Sequence, residues 1–307
     1  MKRKPGYKKF SDYLKSRFGC KVYKVSVNAG FSCPNKDGHF SKKGCIYCDN
    51  RTFNAYSGTD LPPISKQISN GIKFGSSRYK AKKFFVYFQA HTNTYASIDE
   101  LKKKYDSIKE FENVAGLIIG TRPDCIDKEK LDLIESYSDN YEVWIEYGLQ
   151  SVHDKTLKLI NRNHTYNDFL KTYKLTKGRN IKICPHVILG LPYETADEIF
   201  KTAKEMARLK PDGIKIHPLY IAKDTNLEKL YKKDKFKIYS LNEYFNLLIE
   251  FLRHLHPETI IARLTADCPR KLLIEPQWLE EKARFIQLLD KEMGKRDVCQ
   301  GDLYKEG

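Results

Sequence analysis

The chain lacks the features that would place it in or across a membrane. No apolar run approaches the roughly 20 residues of a spanning helix. The basic start, MKRKPGYKKF, has no apolar core of the kind a secretion signal needs. We therefore expect a cytoplasmic protein whose cysteines are reduced. Acidic residues are scarce beside basic ones: 39 Asp and Glu against 55 Lys and Arg leave a net charge of +16. Such an excess points to a polyanionic partner, nucleic acid above all, with a solvated lysine surface as the plainer reading. No basic amphipathic helix stands out, so a membrane-surface role is not expected. Internal repeats and low-complexity tracts are also missing. What is present, 41% hydrophobic residues in a chain of 307, suffices for a sizeable core in one large domain or two modest ones.

Three of the 8 cysteines share one loop, Cys33, Cys45 and Cys48 in FSCPNKDGHFSKKGCIYC. No fourth cysteine follows closely, so a metal held there keeps one coordination position open. Gly38 and Gly44 permit tight turns, and Tyr47 inside the Cys45–Cys48 pair is placed to shield a metal or touch a cofactor ring. A zinc site completed by Cys20 or His39 is an alternative on spacing alone, and a redox dithiol a third. Cys184, Cys268 and Cys299 have no metal-like spacing.

Apolar runs of strand length alternate with helical stretches. Strands are expected at Val22–Gly30, Phe84–Ala90, Val114–Gly120, Tyr141–Gln150, Ile181–Pro192 and Gly213–Ile221. Helices are expected near 62–77, from Ser97 (with Glu100 in capping-box spacing), from Asp127, from His153 and Tyr166, and over Ala196–Leu209. The fold class is α/β: a partial (β/α)6 barrel, with a doubly wound open sheet as the alternative. Residues 1–221 form this core with its lead-in, and 222–307 an α-rich extension that includes a polar KDTNLEKLYKKDKFK stretch, a helix near 241–255, a short TIIARL strand and a last helix near 276–293.

With these segments in place the chain resembles a radical S-adenosylmethionine (SAM) enzyme. It is close to the branch that includes the Elongator catalytic subunit, and to a bacterial family marked by FSCPN-x-DG and GC-x-x-C. Cys33, Cys45 and Cys48 match that family's three ligands of a 4Fe–4S cluster, and Cys20 lies outside the pattern. Three thiolates leave one iron free for the amino and carboxylate groups of S-adenosyl-L-methionine, whose reductive cleavage gives a 5′-deoxyadenosyl radical. In QAHTNTYAS, Gln89, Ala90 and Thr92 occupy the place of the superfamily's Gly-Gly-Glu turn without its residue types. Glu146 and Gln150 in IEYGLQS and Arg162 in INRNHT match the fourth unit, with Arg162 facing the SAM carboxylate; Ile188 and Gly190 in HVILGLPYET match the segment flanking adenine. TRPDC contributes Arg122, Asp124 and Cys125 as candidate catalytic groups, the first two alternatively a rim ion pair and the third a hydrogen-atom donor or an inert thiol. His186 has a core histidine as its alternative reading, and Tyr220 and RLTADCP are placed to reach the site from the extension.

The resemblance implies an enzyme acting on tRNA, converting a carboxymethylaminomethyl group on the wobble uridine to aminomethyl, with a flavodoxin- or ferredoxin-type electron donor. The same chemistry on a peptide or small metabolite, and a non-catalytic zinc-stabilised RNA-binding protein, are the rival readings. Acetyl transfer, as in the Elongator relative, is not expected, since the chain ends where that second domain would begin.

Overall fold

The apolar runs become parallel strands in chain order. A computed structural model describes residues 6–52, 56 and 60–306. Its strands are β1 (Val22–Val27), β2 (Lys83–Phe88), β3 (Val114–Thr121), β4 (Glu142–Gln150), β5 (Lys182–Leu189), β6 (Gly213–Pro218), β7 (Ile221–Ala222), β8 (Ile260–Arg263) and β9 (Leu273–Glu275). Among the described residues one parallel sheet runs β1-β2-β3-β4-β5-β6-β8, and β7 pairs with β9 separately. The order never reverses, which excludes the doubly wound alternative. The sheet curls into a half-barrel with β1 and β8 at its two edges. The TIIARL strand expected in the extension is β8, which satisfies the open hydrogen-bonding edge of β6.

The crossover helices are α2 (Ile64–Tyr79), α3 (Ile98–Tyr105), α4 (Lys128–Glu135), α5 (Asp154–Leu159), α6 (Tyr166–Thr176) and α7 (Ala196–Leu209), preceded by α1 (Phe10–Phe18). They are followed by α8 (Asn226–Lys233), α9 (Leu241–His254) and α10 (Lys282–Arg296). Side-chain caps set many of the starts: Ser97, Asp127, Thr165, Thr195 and Ser240 each accept from the backbone amide three residues on. At Ser97 the box is only half made, because Glu100 pairs with Lys104. Helix α8 lies in the stretch read as merely polar; Thr225, three residues before Glu228, is its cap and was the available signal.

Alternation along the strands splits the core in two. Outward residues such as Val25 and Val27 pack under the helices. Gly71 lets α2 lie that close, since a Cβ there would fall 2.2 Å from Val25 Cγ1. Inward residues fill the lumen. Its floor is plugged by α1, whose Leu14 and Phe10 pack with Phe85 and Trp144, the Phe10 and Trp144 rings 5.3 Å apart. Among the described residues the lumen therefore opens toward the C-terminal ends of the strands, the end of an α/β barrel where functional groups gather.

Candidate active site

The cysteine loop leaves the end of β1 and is gripped by the segment that follows α5. Asn35, fully buried, donates to Asn161 O at 2.6 Å and lies 3.4 Å from Cys45 Sγ. Asn161 donates back to Gly44 O at 2.6 Å, and Asn163 donates to Asn35 Oδ1. Asn161 and Asn163 hold left-handed φ values of 53° and 55°, a region that asparagine tolerates. The Ile46 amide donates to Ile160 O at 3.1 Å, and Cys48 N to Cys45 O at 3.0 Å closes the turn between the paired cysteines. Ile46 and Tyr47 pack against a small core that includes Leu157, Ile188 and Leu227.

Cys33, Cys45 and Cys48 all line one cavity of about 600 Å³, the size range of cofactor and ligand sites. Among the described residues no three His, Cys, Asp or Glu side chains converge as single-ion coordination requires. Cys20 precedes β1 and so sits at the opposite end of that strand, about 20 Å away at 3.3 Å per residue. It cannot complete a zinc site with the loop.

Arg162 ties the loop to the barrel. Its Nη1 lies 3.5 Å from Cys45 Sγ, Nη2 donates to Gly148 O at 2.6 Å, and Nε donates to His164 Nε2 at 2.9 Å. A Cβ at Gly148 would fall 2.5 Å from Arg162 Nη2, so a side chain there would displace the guanidinium. Burial opposes ionisation of Cys45, yet Arg162, Arg122 and Asn35 together bring its thiol below the usual range. Burial pushes Cys48 up to about 11 against the pull of Lys36. Arg162 was expected to face the SAM carboxylate; in this structure all three of its nitrogens are engaged within the protein.

Gln89, Ala90 and Thr92 line the wall next to the cysteines, with His91 and Asn93. Ala90 and His91 take φ of 71° and 62°, so the turn that glycines make elsewhere is made here by strained non-glycine residues. Asn50 Oδ1, Thr92 Oγ1, Asn93 Oδ1 and Arg122 Nη1 are buried without a protein partner, and all four residues line the cavity. Buried polar atoms are normally paired. This mixed set of donors and acceptors beside three thiols fits a cluster with the amino-acid end of SAM. Gln150, with φ 78°, and Ile188 complete the wall.

Other expected residues lie elsewhere. Gly190 is not in the wall; it faces Tyr239, whose Cδ2 would be 2.9 Å from an added Cβ. Arg122 lines the cavity but forks onto Asp124 at 2.9 and 2.6 Å, so Asp124 is occupied by its neighbour and stays out of the lining. Cys125 is buried beside that pair, also outside the lining, and burial pushes its thiol up to about 12. Tyr220 and residues Arg263, Ala266, Asp267 and Pro269 do reach the cavity from beyond β6.

Deeper in the lumen Glu146 pairs with Lys215 and bonds His186 Nε2 at 2.9 Å, which holds its carboxyl well below the ordinary range despite burial. It is therefore engaged by the protein rather than free for a cofactor. Burial lowers His186 to about 4 and His164 to about 3, with Lys215 and Arg162 adding to the effect, and it holds His217 well below 6.5 as well. These rings stay neutral in the fold while the unfolded chain takes protons below about pH 6.5. Stability therefore falls as the pH drops from about 6.5 toward 4.5, because the unfolded rings take up protons that the folded ones refuse. Denaturant unfolding across that range checks this: His186→Gln should remove about a third of the slope, and a flat profile would contradict the assignment.

The Radical SAM superfamily model matches residues 36–206 and the Radical SAM C-terminal domain model residues 211–295. The first match holds Cys45 and Cys48 and begins just after Cys33. An uncharacterized protein of Methanocaldococcus jannaschii is 38% identical over 303 residues, 96% of this chain and 91% of that one. The tRNA uridine(34) acetyltransferase of Methanocaldococcus infernus is 27% identical over 207 residues, 66% of this chain and 37% of that one. In fold, the chain is similar to the archaeal Methanocaldococcus infernus Elp3 with an N-terminal deletion, at a TM-score of 0.65 and 20% identity, covering 91% of this chain and 64% of that one. The chain belongs to the radical SAM superfamily, whose members generally use a 4Fe–4S cluster and SAM, and it has Elongator-type relatives.

Proposed function

We propose that the protein is a radical SAM enzyme that modifies the wobble uridine of tRNA, converting a carboxymethylaminomethyl side chain to aminomethyl. The observation that carries the enzyme reading is the single cavity on which three loop thiols, an arginine-engaged Cys45 and four unpartnered buried polar atoms meet. Cys33, Cys45 and Cys48 would hold the cluster. Gln89, Ala90, Thr92, Gln150 and Ile188 would form the SAM wall, with Arg162 fixing the cluster side and Gly190 shaping the turn behind it. A bound cluster and SAM supply a 5′-deoxyadenosyl radical for hydrogen abstraction. The chain's own part is to orient the two partners and exclude water; the α1 plug closes the lumen from below.

The tRNA reading draws on the +16 charge and on a relative named for uridine 34. Phosphate contacts from lysines and arginines would make binding salt-sensitive, and the uridine must leave its stack to reach the cavity. We place the division between the six-strand core and the C-terminal extension at 221/222, the extension returning β8 to the sheet edge; we place the protein in the cytoplasm, with a flavodoxin- or ferredoxin-type protein as reductant. No helix among the described residues is long and apolar enough to cross a membrane. Nucleoside mass spectrometry of tRNA from cells with and without the gene tests the substrate. Loss of the gene should raise carboxymethylaminomethyluridine and remove its aminomethyl products. An unchanged profile would remove the tRNA reading.

A further inference from the structure

The two edges of the half-barrel bring like charges together across the lumen. Lys24 on β1 and Arg263 on β8 both line the cavity, with Lys215 of β6 between them. The inner carboxylate, Glu146, is already engaged by Lys215 and His186. Arg263 turns to Asp267 on the rim at 3.1 Å, a carboxylate whose side chain is 40% exposed. Lys24 has no ion-pair partner among the described residues; its ammonium lies 4.9 Å from the centre of the Tyr87 ring. Burial and the neighbouring Lys215 lower its proton affinity to about 7, with Arg263 adding to the effect. A half-buried cation held against two others is a costly arrangement that an anion would relieve.

We propose that this end of the cavity is a carboxylate pocket, in which a substrate carboxylate lies between Lys24 and Arg263 and joins the two sheet edges. With Lys24 protonated, the form an adjacent anion favours, three cations (Lys24, Lys215, Arg263) against two carboxylates (Glu146, Asp267) leave one positive charge, 3 − 2 = +1, which suits a monoanion. A phosphodiester has the same charge, but it carries chain on both sides and the lumen is closed below by Trp144 and α1. A terminal carboxylate fits a closed end. The inference rests on the reading of the cavity as a substrate site, and it narrows the substrate to one with a free carboxylate, which the carboxymethylaminomethyl group supplies.

Calorimetry on the full chain, reconstituted without oxygen, tests it with two matched pairs. One is 5-carboxymethylaminomethyluridine and its carboxamide; the other is N-acetylglycine and N-acetylglycinamide. The carboxylate of at least one pair should bind about 10- to 100-fold more tightly, as charge-assisted hydrogen bonds support. Lys24→Met should abolish the preference with iron content and melting temperature retained, and Lys24→Arg should keep most of it. Preference in the glycine pair with neither nucleoside bound would support the pocket while removing the uridine reading. No preference in either pair, including no binding at all, or an intact preference in both Lys24→Met and Arg263→Met, would overturn the pocket.

Discussion

Cys45→Ala is expected to leave a folded protein that holds no cluster. Wild-type protein reconstituted without oxygen should carry about four irons per chain and absorb broadly in the visible. Loss of one of only three thiolate ligands should take that to near zero. Cys33→Ala and Cys48→Ala should behave alike, since all three thiols face the same cavity. Cys20→Ala should load normally, because β1 separates it from the loop. The loop's backbone is fastened independently of its thiols, by Asn35, Asn161 and the Ile46–Ile160 bond, so the variants should fold. Iron analysis and visible absorbance read the result. A colourless wild type with one zinc per chain, or full iron in Cys45→Ala, would show that the loop serves another metal or none.

Arg162→Met is the second substitution expected to act strongly. It removes the shared donor to Gly148 O and to His164 Nε2, two buried groups 3.2 Å apart that are then left with only each other. Each costs about 1–3 kcal/mol when orphaned, and because they share one donor the losses do not simply add. We expect a net destabilisation of about 2–4 kcal/mol and faster loss of iron, because the charge favouring the Cys45 thiolate is gone. Arg162→Lys keeps that charge but not the fork and should retain more iron than the methionine variant. Gly148→Ala keeps the arginine yet pushes its guanidinium aside, so it should resemble Arg162→Lys. Thermal unfolding and iron retention under a chelator report the two effects separately. Unchanged stability and iron in Arg162→Met would mean that its contact with Cys45 is incidental.

Much of this was legible in the sequence because the relevant signals are local. VYKVSV, KFFVYF and GIKIHP read as strands from residue type alone, and the three cysteines announce themselves by spacing. The grip on the loop was not legible: Asn35 and Asn161 are 126 positions apart, and only the β5-side topology brings them together. The same is true of the Arg162 contact with Cys45, 117 positions away. Ala90 hides the turn, since alanine rarely takes positive φ; His91, of a type enriched there, was the local hint. Lys24 and Lys215 did leave a trace, a lone lysine in the middle of an apolar strand. Period-two alternation then puts such a residue in the lumen, not on the surface, once the outer face is known to be covered by helices. Asp124, Cys125 and Gly190 were named for their place after strands, yet a strand end supplies residues to both sides of a wall, and these fall outside the cavity lining.

The most direct test of the account is reductive cleavage of SAM by the reconstituted wild-type protein, with 5′-deoxyadenosine measured by chromatography after addition of a low-potential reductant. The account predicts at least one equivalent of 5′-deoxyadenosine per loaded chain, and none from Cys45→Ala. A wild-type preparation that carries its full iron and still yields no 5′-deoxyadenosine would contradict it.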